Sequence, residues 1–176
     1  MGLTLIKKII TMTKNIRQGA IGALLGEYEK AIKELQHVIK NISASELVTV
    51  VDNITADANC KSIQTILTHV VSSGYSYSIY IGDLKNAGTK RREKILHFTV
   101  EDYIKDLDEV FNFTCDTFND ITDVEIEQPD DAKKIKTLWG QSYDIEQMME
   151  HAIVHILRHR RQIEKFISLL RNTSLS

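Results

Sequence analysis

Three histidines recur every four residues in His151-Ala152-Ile153-Val154-His155-Ile156-Leu157-Arg158-His159-Arg160-Arg161-Gln162, half of the six in the chain. Residues four apart share one face of a helix, so a neighbouring pair can offer two imidazoles to one metal ion. The three are not equivalent. At about 100° per residue from His151, the apolar stripe of Met148, Ala152, Ile163, Phe166 and Leu170 spans about 60–120°. His159 falls at about 80°, in the middle of that stripe, His155 at about 40°, inside its edge, and His151 on the rim. Gln162, at about 20°, lies on the His155 side and one turn beyond His159.

Buried imidazoles must satisfy their ring nitrogens, and two neighbours repel when both are protonated. Core histidines hydrogen-bonded to Ser, Tyr or carbonyl partners are one explanation. Metal ligation is the other, and it needs a ligand from elsewhere. His69 qualifies, because it flanks the apolar stripe Ile63, Ile66, Leu67, Val70, Gly74, Tyr77 and Ile81 of another helix. Three neutral imidazoles with open coordination positions suit zinc or a neighbouring transition metal. Other metal motifs fail. HExxH needs Glu where Ala152 and Ile156 stand. A di-iron carboxylate site needs two ExxH motifs, and the chain has one, Glu34 to His37, with none on the last helix. His37 and His97 read as surface or loop residues. Tyr75, Tyr77, Tyr80 and Glu150 are candidate acid–base helpers, with no basis in sequence for choosing among them.

Positioning these side chains requires long helices, and the pattern supplies four. One spans about 15–40, with Ile21, Leu24, Leu25, Tyr28, Ile32, Leu35 and Ile39 at 3–4 spacing. The next spans about 61–84 and ends on Asn86-Ala87-Gly88. A third opens on the capping hydroxyl and acids of Thr99-Val100-Glu101-Asp102 and runs to about 123. The last spans about 143–171. Ser43-Ala44-Ser45-Glu46 fits a capping box for a short helical turn. Residues 48–59 read as a loop, 88–98 as a basic solvated connector, and 124–141, with the only proline and the only tryptophan, as a long crossover. The expected fold is all-α, a four-helix bundle with a long crossover before the last helix.

Composition agrees. The chain has 176 residues, 43% hydrophobic and 26% charged, enough for one domain with a substantial core. A net charge of −2 argues against nucleic acid as a partner. Cys60 and Cys115 match no CxxC spacing and read as buried free thiols, consistent with a reducing compartment. Lys7 and Lys8 break the N-terminal apolar run, and no later run reaches 18 residues, so neither a signal segment nor a membrane span is expected. The expected location is the cytoplasm. Met12 marks residues 1–11 as an extension outside a core domain of 12–176.

From about Met12 to Leu170 the chain resembles the DinB-like (DinB/YfiT) superfamily of bacterial four-helix bundles. Ile66-Leu67-Thr68-His69-Val70-Val71 is similar to the segment bearing that family's second-helix histidine. His155-Ile156-Leu157-Arg158-His159-Arg160-Arg161-Gln162 is similar to its HxxxHRGQ segment, with Arg161 where Gly is usual. The helix order also corresponds. The resemblance implies that His69, His155 and His159 ligate a divalent metal, commonly zinc or nickel. His151 would then be a further ligand, a group supporting the ligands, or a polar rim residue, the last two being preferred.

The implied activity is a metal-dependent hydrolase or a transferase using a low-molecular-weight thiol, acting on a small-molecule substrate. A three-histidine metal can lower the pKa of bound water or hold a thiol as thiolate, and both use the same ligands. The resemblance further implies a homodimer. The competing reading is a non-catalytic bundle, a binding or dimerisation module whose histidines are core polar groups.

Overall fold

The structure is a computed structural model and describes residues 18–173. The suggested extension, 1–11, lies outside the described residues. The protein is all-α apart from a small hairpin. Its helices are α1 (Gly19–Ile39), α2 (Ala44–Val48), α3 (Ile63–Asp83), α4 (Val100–Thr117) and α5 (Ile145–Thr173). Helix α1 packs against α4 and α5, and α3 packs against the same two. No helix among the described residues is long and apolar enough to cross a membrane.

Each long helix buries the stripe that its periodicity marks. Leu25, Tyr28, Ile32, Leu35 and Ile39 of α1 meet Ile63, Ile66, Leu67, Val70 and Ile81 of α3 in one core. Tyr103, Leu107 and Val110 of α4 join them, as do Met148, Ala152, Ile156, Ile163 and Phe166 of α5. Full burial of one such aliphatic or aromatic side chain contributes roughly 1.5–3 kcal/mol. Gly74 lets the helices close up: a Cβ there would lie 2.6 Å from Val110 Cγ1 and 2.9 Å from Tyr28 Oη.

Caps set where each helix starts, and hence which way its side chains face. At α3, the Ser62 hydroxyl accepts from Thr65 N–H at 3.1 Å, and Ser62 N–H donates to Thr65 Oγ1 at 3.0 Å. At α5, Asp144 and Gln147 exchange the corresponding bonds at 2.8 and 3.1 Å. Such caps contribute about 1 kcal/mol each. The expected box at Ser43 is present, with Glu46 N–H donating to Ser43 Oγ and Ser43 N–H donating to Glu46. The start of α1 is capped from afar. Gly19 takes φ +74°, and Asp123 accepts from the Ala20 and Ile21 amides at 3.2 and 2.9 Å.

Two segments differ from expectation. The third helix stops at Thr117, where Phe118 N–H turns back to the Cys115 and Asp116 carbonyls. The crossover, for which no strand was expected, carries one side of an antiparallel hairpin of β1 (Ile135–Lys136) and β2 (Ser142–Tyr143). Gly140, at φ +85°, turns the chain at its tip. Strands of two residues are too short for an alternating pattern to reveal.

Candidate metal centre

Helix α3 supplies His69, and successive turns of α5 supply His155 and His159. Among the described residues, these three form a group able to hold a metal ion, with one ligand nitrogen from each within 4.8 Å of the others. His69 Nε2 and His155 Nε2 stand 2.9 Å apart. The ring centroids of His69 lie 4.8 Å from His155 and 5.0 Å from His159, and His155 and His159 are 4.4 Å apart. His159 is 3% exposed, while His69 and His155 are half-buried on the cleft side.

Two features favour a metal. First, the rings are held neutral. Burial pushes the His69 pKa down to about 4 and the His155 pKa down to about 2, and the neighbouring imidazoles push the same way. Burial also lowers His159. A neutral imidazole has a free lone pair, the form that ligates. Second, the nitrogens sit near coordination spacing. Two imidazole nitrogens on one tetrahedral zinc stand about 3.3 Å apart, given Zn–N bonds of about 2.0 Å. The 2.9 Å pair needs little adjustment to accept an ion between its nitrogens.

Neighbouring side chains hold the rings. The Gln162 side-chain oxygen meets His159 Nδ1 at 3.1 Å. A neutral His159 that donates from Nδ1 to Gln162 keeps its lone pair on Nε2. Ser73 Oγ lies 3.5 Å from His69 Nδ1. The sequence placed Gln162 on this side of α5, and its contact with His159 gives that placement a purpose.

His151 is outside the trio. Its Nδ1 lies 3.4 Å from Tyr143 Oη, and its ring stacks on Trp139 at 5.9 Å and 23°. Rim residue is therefore its position. Of the four acid–base candidates, Tyr77 alone touches the trio, 5.7 Å from the His155 ring, and burial pushes its pKa up to about 12. Tyr75 turns to Arg92, whose guanidinium donates to its hydroxyl at 2.8 Å. The Tyr80 hydroxyl accepts from Leu138 N–H at 3.1 Å, and Glu150 is exposed. His37 is exposed, as expected. His97 is a half-buried loop residue whose Nε2 meets Asp106 at 2.7 Å.

The trio opens on a cleft of about 490 Å³ between α3, α5, the hairpin tip and the segments before and after α3. That lies within the usual range for small-molecule sites. A more enclosed cavity of about 270 Å³, between α3 and residues 91–95, has none of the three histidines in its wall.

The loop before α3 adds two residues to the cleft that the sequence reading missed. Cys60, expected to be buried, is half-buried, as is Cys115. Its thiol hydrogen-bonds with Gln162 and lies 3.5 Å from Asp57 Oδ2, and desolvation raises its pKa. Asp57 is held below the usual carboxylate range, first by the Asn59 amide. The available signal was position: Cys60 stands three residues before Ile63, the first residue of the helix that carries His69. Comparison with protein-family models, curated proteins and solved structures returns no match.

Proposed function

We propose that this protein is a divalent-metal-dependent enzyme of the DinB-like kind, built as a four-helix bundle. Its reaction is a hydrolysis or a transfer that uses a low-molecular-weight thiol. The observation that carries this reading is the convergence of His69, His155 and His159, from two helices, as uncharged rings with one nitrogen from each within 4.8 Å of the others. Burying three imidazoles together costs desolvation of polar rings, which a bound cation offsets.

In this mechanism His69, His155 and His159 would hold a zinc or nickel ion. Such an ion would supply Lewis acidity toward a water or thiol in the cleft. Gln162 orients His159, and Ser73 stands beside the outer nitrogen of His69. Trp139, Tyr77 and His151 form an aromatic wall that limits water at one side of the cleft. Tyr77, with its pKa raised to about 12, stays protonated at neutral pH and does not serve as a general base. Cytoplasmic location and homodimerisation complete the proposal.

The test is elemental analysis of chelator-free protein, with melting curves in added zinc and nickel. The expected result is about one ion per chain and a raised melting temperature. Absence of both sinks the reading. Assays with ester and amide substrates, and with thiol plus electrophile, then separate the two reactions.

One observation favours the alternative of a non-catalytic binding module. The 2.9 Å contact between His69 and His155 serves equally as a hydrogen bond, one ring donating and the other accepting. On that reading, replacing all three histidines by leucine leaves the fold at least as stable and partner binding intact.

A further inference from the structure

The walls of the cleft are uneven in charge. Arg91 and Lys94, from the connector between α3 and α4, and Arg158, from the outer turn between His155 and His159, all line it. Asp57 is the carboxylate in the same wall. Among the described residues, none of the three cations is within ion-pair distance of an acid; Arg92, two residues from Lys94, instead pairs with Glu109 at 3.6 Å. Arg91 lies over the Tyr80 ring at 4.9 Å, and Lys94 Nζ donates to Asn59 Oδ1 at 3.0 Å. Both heads are thus placed by neutral partners that leave their charge uncompensated. The chain as a whole carries −2, so this concentration of cations is local.

Charge of one sign around a concave site draws and retains ligands of the opposite sign. Arg158 sits one residue from His159 and lines the cleft together with all three cluster histidines. A cation in that place disfavours a bare metal ion. It is accounted for if a negatively charged ligand shares the cleft.

We propose that the cleft takes a small organic dianion, whose carboxylate or phosphate end is held by Arg91, Lys94 and Arg158 while the remainder reaches toward the three histidines. The chemistry shared by both sources is a compact oxyanion met by charge-assisted N–H donors. The inference rests on the proposed metal function for its second half, since the reacting end of the ligand is directed at the trio. The rim itself does not need the metal.

The experiment measures binding of inorganic phosphate, succinate and neutral succinamide to the full chain by calorimetry, with zinc and after chelation. Phosphate or succinate should bind in both states and weaken as salt is raised, while succinamide should not bind. The tighter of the two anions identifies the source. The double variant K94Q/R158Q should lose about tenfold or more in anion affinity while keeping the zinc stoichiometry of the parent. R158E should abolish anion binding. Both replaced side chains, Lys94 and Arg158, are exposed, and a melting curve checks the fold. Unchanged affinity in the double variant, or equal binding of succinamide, overturns the proposal. If the parent takes up no zinc, the metal reading falls, while the chelated protein still decides the anion site.

Discussion

Toward α4, helix α3 presents Thr68 and Ser78; toward α5 it presents His69. On the α4 side, the Thr68 hydroxyl meets Tyr103 Oη at 2.6 Å, and Tyr103 donates to the Gln64 carbonyl at 3.1 Å. Ser78 meets Thr114 at 2.8 Å, and each also reaches a carbonyl of its own helix. Every hydroxyl there has a partner inside the protein. On the α5 side, two Nε2 atoms face each other at 2.9 Å, where one proton can serve both, and a third ring stands alongside. Buried polar groups that exist for structure satisfy one another. The α5 side instead brings three imidazoles close enough to hold a metal ion.

The sharpest way to break this contrast is to remove one group from each side. His155→Ala and His159→Ala should each take the metal content from about one ion per chain to none, by elemental analysis. Ser78→Ala should leave metal content untouched. Equal metal in all three variants would erase the distinction.

Acid should separate the two sides next. An imidazole in the unfolded chain titrates at about 6.5, whereas His69 and His155 are held at about 4 and about 2. Between those values the unfolded state binds more protons, so stability of the metal-free protein is greatest above about 6.5 and falls as pH drops through about 4. The H69L/H155L/H159L variant should lose most of that slope in denaturant titrations from neutral to acidic pH. An undiminished slope would move the acid sensitivity elsewhere.

A smaller effect is expected at Gln162. Replacing it by leucine frees the tautomer of His159 and should weaken zinc binding about tenfold, measured by competition with a chromophoric chelator. No change would reduce Gln162 to packing. The smallest effect belongs to the satisfied side: Thr114→Val should cost about 1–2 kcal/mol in urea unfolding, with zinc affinity unaltered.

The elements were legible in the sequence to differing degrees. The stripes of α1, α3 and α5 are periodic over five or more turns, and the buried residues are those the periodicity marks. The ranking of the α5 histidines also emerged from helical angle alone, because α5 is regular from Ile145 to Thr173. His159 is buried, His155 half-buried toward the cleft, and His151 on the rim. What periodicity could not reach were contacts made by irregular chain. The hairpin that brings Trp139 onto His151 has strands too short to alternate. The loop that brings Asp57 and Cys60 to the cleft is held by backbone bonds, such as Val51 N–H to the Lys61 carbonyl at 2.9 Å.

By itself, then, the sequence determined that the protein is helical, which face of each long helix is buried, and that two histidines of α5 point inward with His69 the candidate third. These follow from the 3.6-residue repeat, which is local. Only the tertiary structure decided that His69 and His155 meet nitrogen to nitrogen, that Tyr77 rather than Tyr75 or Tyr80 stands beside them, and that Arg91, Lys94 and Arg158 ring one cleft. Those facts depend on how α3 docks against α5 and where the connectors run. That docking is set by side-chain packing between segments 86 residues apart, a relation no local repeat encodes.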